Sequence, residues 1–180
     1  MISKEIFNLL KQNNRLAQKQ VYDAFSGKML AIAKSYTNNL SDAEDALLKA
    51  FYTVFTKIDT CKGAEFFPFW LRRIVINEAI SIVRKQKHIL YIEKDINDDL
   101  QDEPEDTETQ NHLLDIPIEE LLSEMPLGYK LVFNLYVFEE KKHSEIAEIL
   151  NIKEGTSKSQ FNKAKKWLKE FITQKHSYGK

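Results

Sequence analysis

The sequence predicts an all-α fold in which two small helical domains are joined by an acidic, flexible linker. Three observations carry that prediction. Apolar residues recur three and four apart through most of the chain, as they do in helices with one buried side. Glycine and proline are scarce, five and four in 180 residues, too few for a loop-rich β protein. Charge is also segregated along the chain. Residues 1–92 hold 14 bases against 8 acids (+6), residues 93–115 hold ten acids against the single base Lys94 (−9), and residues 116–180 hold 11 bases against 9 acids (+2). The middle segment contains no Phe, Trp or Tyr and cannot bury enough surface to fold alone. The expected division is therefore 1–92, 93–115 and 116–180.

The first long helix is expected over residues 16–38, where Tyr22, Phe25, Met29, Ile32 and Tyr36 form one amphipathic stripe. The next opens at Ser41-Asp42-Ala43-Glu44, a capping-box pattern in which Ser41 caps and Glu44 reaches back. Leu47, Phe51, Val54 and Ile58 carry its buried face. The loop Asp59-Thr60-Cys61-Lys62-Gly63-Ala64-Glu65 follows, and a third helix starts near Phe66 or Phe67 and runs to about Lys87. That helix begins with Phe66, Phe67, Phe69 and Trp70, which read mostly as core. It continues through Arg72 and Arg73 and ends in Arg84, Lys85 and Lys87. A loop flanked by aromatics and followed by a basic helix also suits unpaired bases, which need stacking surfaces and phosphate partners.

In the C-terminal part, residues 144–159 read as a short helix, a tight turn and a second helix. Ile146, Ala147 and Leu150 give the first helix an apolar face, Asn151 and Gly155 mark the turn, and Thr156 is the expected N-cap of the second. Phe161, Ala164 and Leu168 then point inward, which turns Lys158, Ser159, Asn162, Lys163 and Lys166 outward. A helix pair that presents donors and positive charge from its second helix fits the DNA major groove. The same residues also allow an ordinary helical hairpin with a solvated lysine face.

Several function classes are excluded. No apolar run approaches the ~20 residues of a membrane span, and the N-terminus lacks a signal-peptide pattern. The single Cys61 rules out an internal disulfide and fits a reducing compartment. His88, His112, His143 and His176 are scattered and pair with no Cys at ligand spacing. Neither a metal site nor a cofactor site is expected, and no nucleophile, base and orienter converge as an enzyme would require. The expectation is a soluble, cytoplasmic protein.

At this point the chain resembles a known family. Asp42-Ala43-Glu44-Asp45-Ala46-Leu47, Phe51, Phe55, Trp70-Leu71-Arg72-Arg73-Ile74-Val75-Ile76-Asn77 and Arg84 are similar to region 2 of the extracytoplasmic-function (ECF) sigma factors, the smallest members of the sigma-70 family. Leu121-Leu122-Ser123-Glu124-Met125-Pro126, residues 144–150, Gly155-Thr156-Ser157-Lys158-Ser159 and Lys163-Ala164-Lys165 are similar to region 4. The resemblance covers about residues 10–90 and 116–172, in the right order.

What the resemblance implies can be carried residue by residue. Asp42, Glu44 and Asp45 match the acidic start of the helix that docks on the clamp helices of the largest subunit of core RNA polymerase, and region 4 would meet the flap of the second-largest subunit. Exposed acids facing a basic partner would fix register, although they also simply favour a helix N-terminus. Thr60, Cys61, Lys62, Gly63 and Phe66 match the loop that captures a flipped base of the −10 element, and Asn77, Arg84, Lys85 and Lys87 the helix lining that single strand. Thr156, Lys158, Ser159, Asn162, Lys163 and Lys166 fall on the helix that reads duplex −35 DNA. The acidic linker would thread into positively charged RNA paths, unless it is a plain spacer.

The chain departs from the family in places. Leu48-Lys49 stands where Gln-Glu is usual, Ser81 where an Asp is common, and Ser157 where Val is usual, which predicts a looser seat for the recognition helix. Lysines replace most of the usual arginines and lose their bidentate guanine reading. The weak +2 balance of residues 116–180 leaves room for a recruiting factor, and the family for an anti-sigma factor. The expected function is that of an ECF-type sigma factor that binds core RNA polymerase and promoter DNA, with no catalytic residues. Two alternatives are a helix-turn-helix regulator acting without polymerase and a helical protein–protein adaptor.

Overall fold

The computed structural model describes residues 2–85 and 117–178. Among the described residues there are eight α-helices, one short 3-10 turn and no strand. They form two compact units, α1–α4 and α5–α8.

In the first unit, Ser3 Oγ accepts the Ile6 amide at 3.1 Å and starts α1 (Lys4–Lys11), which buries Phe7 and Leu10. The sequence reading did not anticipate this helix, although a Ser cap followed by Ile6, Phe7 and Leu10 at helical spacing is signal enough. Asn14 Oδ1 accepts the amides of Leu16 and Ala17, both at 3.0 Å, and opens α2 (Arg15–Tyr36). On α2, Val21, Met29, Ala33 and Tyr36 are buried. Tyr22 meets the ring of Phe51 at 4.8 Å and Phe25 that of Phe67 at 5.7 Å. Helix α3 (Leu40–Thr56) and α4 (Phe67–Lys85) pack on α2 and on each other.

Two expectations for this unit are corrected. Helix α3 starts earlier than Ser41: Asn39 is the cap, in extended conformation, with Oδ1 accepting the Asp42 amide at 2.8 Å and Nδ2 donating to Asp42 Oδ2 at 2.9 Å. Two good cap residues stand two positions apart, and Asn39 wins because it is the one with non-helical backbone. The aromatic cluster is also less buried than expected. Only Phe67 is fully buried; Trp70 is half-buried, while Phe66 and Phe69 are 51% and 74% exposed. The described part of α4 ends at Lys85, and Lys87 lies outside the described residues.

In the second unit, α5 (Ile118–Glu124) and α6 (Leu127–Val137) are separated by Met125-Pro126. Pro126, lacking an amide hydrogen, fits this helix-start position. Helices α6 and α7 (His143–Leu150) both pack on α8 (Glu154–Tyr178), around Leu131, Leu135, Ile146 and Ala164. At the far end of α8, Lys175 Nζ donates to Glu120 Oε1 at 2.6 Å, tying it to α5.

Because Asn39 and not Ser41 caps α3, Asn39→Ala should lower the unfolding free energy by about 1 kcal/mol, and Ser41→Ala should change it by less than about 0.5 kcal/mol. Urea unfolding followed by circular dichroism checks this; equal effects would contradict the cap.

Candidate polymerase and nucleic-acid interfaces

Helix α3 gives one side to the core through Ala43, Ala46, Leu47, Ala50, Phe51 and Val54. Its other side carries Glu44, Asp45, Leu48, Lys49 and Tyr52, spaced three and four apart and all exposed. Leu48 and Tyr52, 58% and 72% exposed, add an apolar stretch directly beyond the acids. Asp42 is half-buried and committed to Asn39, so Glu44 and Asp45 are the freer carboxylates of the three.

The loop between α3 and α4 is anchored at every third residue. Ile58, Cys61, Ala64 and Phe67 are buried, while Thr60, Lys62, Glu65 and Phe66 face solvent. Cys61, anticipated as a loop contact, instead holds the loop down, its thiol donating to the Gly63 carbonyl at 3.4 Å. Thr60 Oγ1 donates to the Lys57 carbonyl at 2.8 Å and closes the 3-10 turn (Ile58–Thr60). Along α4, Phe69, Arg73, Asn77 and Arg84 are exposed, and at 3.6 residues per turn they fall within roughly 80° of arc. Lys85 is exposed further round the helix. Phe69 and Arg73 were not singled out as site residues; the four-residue step from Phe69 through Arg73 to Asn77 could have shown them.

The C-terminal helix-turn-helix is built around the α7–α8 turn. Glu145 accepts the Lys142 amide at 2.9 Å, closing the start of α7, and this hydrogen bond holds the Glu145 carboxyl below its usual range. Asn151 ends α7 in left-handed conformation (φ 56°), as expected of a turn residue. Gly155 and Thr156 do not mark the turn or cap α8; both lie inside its first turn, because the helix already begins at Glu154. Thr156 is half-buried and lines a small hollow with Gly128, Val132, Leu150, Ile152 and Gln160. Lys158 and Lys166 are exposed, and Ser159, Asn162 and Lys163 are half-exposed.

Two details of α8 modify the sequence reading. Lys158 Nζ lies 2.9 Å from Glu154 Oε1, an exposed i,i+4 pair in which hydrogen bonding and charge pull the Glu154 carboxyl below its usual range. Ser157, expected to loosen the helix's seat, is fully buried, and its Oγ lies 2.9 Å from His143 Nδ1. The His143 ring stacks on Tyr136 (4.8 Å, 22°) and meets Phe161 edge-on (5.8 Å, 62°). Among the described residues no group of His, Cys, Asp and Glu could hold a metal ion, and no helix is long and apolar enough to cross a membrane.

Among the described residues the chain is helical, with an exposed acidic–apolar stripe, an aromatic–basic strip beside a loop and a separate helix-turn-helix. Comparison with known proteins specifies the class. Residues 21–89 match sigma-70 region 2, and residues 116–168 match sigma-70 region 4. The RNA polymerase sigma factor SigV of Bacillus subtilis (strain 168) is 30% identical over 142 residues, covering 79% of this chain and 82% of that one. From the same organism, the ECF RNA polymerase sigma factor SigW is 26% identical over 181 aligned positions (94% and 96%), and SigM 29% over 154 (83% and 91%). The chain belongs to the sigma-70 family and is an ECF-type RNA polymerase sigma factor, not an enzyme.

Measured by fluorescence anisotropy against promoter duplex over a range of salt, Lys158→Ala, Lys163→Ala and Lys166→Ala should each weaken binding and reduce the slope of log K against log salt by about one unit. Glu154→Gln, which removes a negative charge beside Lys158, should tighten binding. Unaltered slopes for all three lysines would remove this face from the DNA contact.

Proposed function

We propose that this sigma factor, which binds core RNA polymerase and directs it to promoters, divides the task among three surfaces. The outward side of α3 docks on the polymerase clamp helices. Glu44 and Asp45 supply charge that meets a basic partner, and Leu48, the first residue of the Leu48-Lys49 pair that replaces the family's usual Gln-Glu, supplies apolar area together with Tyr52. Asp42 contributes chiefly by holding the cap. With polymerase absent, the same half-apolar stripe suits an anti-sigma factor. The protein works in the cytoplasm, where polymerase and DNA are.

The second surface captures the melted −10 strand, and the observation that carries this reading is the exposed strip of Phe66, Phe69, Arg73, Asn77 and Arg84. Two large aromatics left in water beside guanidinium groups are what unpaired bases and their phosphates require. Thr60, Lys62 and Gly63 present the loop, Cys61 anchors it, and Lys85 adds charge. The third surface, α8, reads duplex −35 DNA. Ser159 and Asn162 are the base-edge candidates there, and Lys158, Lys163 and Lys166 the phosphate contacts; Thr156 braces the helix from its half-buried position. Region 4 also meets the polymerase flap.

A double dissociation tests the first two surfaces. Phe66→Ala and Phe69→Ala should each weaken holoenzyme binding to a single-stranded −10 oligonucleotide by roughly 5- to 150-fold, the worth of one stacked base, while leaving association with core polymerase unchanged. Glu44→Lys/Asp45→Lys should weaken association in a pull-down with core polymerase, while the holoenzyme that forms at saturating concentration of the variant should bind the oligonucleotide as the parent does. If both sets of variants lose both activities in parallel, or neither loses anything, the division into surfaces is wrong.

A further inference from the structure

We propose that His143 is a positioning residue for the recognition helix: clamped between Tyr136 and Phe161, its ring grips Ser157 at the root of α8 and sets which side of that helix meets duplex DNA. The inference rests on α8 being the duplex reader. A buried serine hydroxyl needs a partner, and leaving one unmade costs more than the bond itself contributes. Ser157 is fully buried and has His143 Nδ1 at 2.9 Å. A Val at this position would need only to be packed against, whereas Ser157 needs one atom in one place. That atom is fixed in turn, because the imidazole plane is set by Tyr136 from α6 and by Phe161 from α8 itself.

Ser157 directly precedes Lys158 and Ser159, so the rotation of α8 at Ser157 decides where both side chains point. Phe133, stacked on Phe161 at 6.4 Å, backs the cluster from α6. A small change at His143 therefore reaches the DNA face without any contact to DNA.

The ring also makes this seat sensitive to pH. The titratable groups around it are Glu154 and Lys158 on α8, the Tyr136 phenol on α6, Lys142 at the cap of α7 and Glu145 in its first turn. Burial, then the Lys158 charge, holds the His143 pKa below the usual histidine range, against the pull of Glu154. The folded value is thus depressed relative to the unfolded value of about 6.5. The neutral ring's contribution is complete above that unfolded value and is lost as pH falls through the folded one.

The test uses full-length protein reconstituted with core polymerase and a duplex selected by that holoenzyme from a random library. His143→Ala and Ser157→Ala should each weaken duplex binding about fivefold at pH 7.5, as expected for one hydrogen bond, and the double variant should be no worse than either. Binding to a single-stranded −10 oligonucleotide should not change. His143→Asn, whose amide can reach the position of Nδ1 but does not titrate, should bind within about twofold of the parent at pH 7.5. It should also lack the parent's additional loss of affinity as pH falls through the NMR titration midpoint of His143. Multiplying single effects, or a His143→Asn pH profile identical to the parent's, would overturn the proposal. In the free chain, Ser157→Ala should move the NMR titration midpoint of His143. An unmoved midpoint overturns the pairing whatever the holoenzyme does. A moved midpoint in a chain that binds no duplex would overturn the assignment of α8 as duplex reader instead.

Discussion

Helices α2, α3 and α4, of 22, 17 and 19 residues, meet along one apolar stripe each, and the N-terminal unit depends on that shared burial. Phe51 and Val54 on α3 and Phe67, Leu71 and Val75 on α4 are almost entirely out of water. Each such side chain contributes on the order of 1.5–3 kcal/mol, far more than any exposed ion pair here. Once the stripe is committed, every other side of α3 and α4 is free of packing duty. The acids and Tyr52 on α3, and the aromatic–basic strip on α4, occupy those released sides. The same division runs through the second unit, where Ala164 and Ile172 seat α8 and leave Lys158 and Lys166 outside.

The two surfaces proposed to read nucleic acid differ in chemistry. The α4 strip combines rings with guanidinium groups, which suits a strand whose bases have left the stack. The α8 face is built on lysines, point charges that attract phosphate but do not fork onto guanine as arginine does. One of them, Lys158, is already shared with Glu154. On the proposed assignment, base selection at the −35 element falls to the shorter polar residues Ser159 and Asn162. Such short side chains reach base edges only if the helix is held at one rotation, which makes the internal seat of α8 matter for reading DNA.

Much of the fold was legible in the sequence because helical periodicity survives without tertiary knowledge. The stripe from Tyr22 to Tyr36, the buried face from Leu47 to Val54 and the inward set Phe161, Ala164 and Leu168 all express one spacing rule, whereas Ile58, expected on the same helix, is buried from the 3-10 turn beyond its end. Helix starts were less legible, because a chain that offers both Asn39 and Ser41 does not say which will hold extended backbone. The same uncertainty shifted α8 back to Glu154 and placed Gly155 and Thr156 inside it. Exposure of individual aromatics was not legible either: Phe67 and Phe69 are two residues apart, and only the packing of α4 decides that the first is buried and the second solvated. The pairing of His143 with Ser157, 14 positions apart, carried no sequence signal beyond an unusual serine.

Promoter choice conferred on core RNA polymerase by this chain is read out by transcription itself. Purified core polymerase would be supplied with sheared genomic DNA from the source organism, with and without the chain, and the 5′ ends of the transcripts sequenced. A discrete set of new start sites is expected, preceded by two shared sequence blocks in the −35 and −10 regions and appearing only when the chain is present. Start sites that are unchanged by the chain, or new ones that share no upstream sequence, would contradict it.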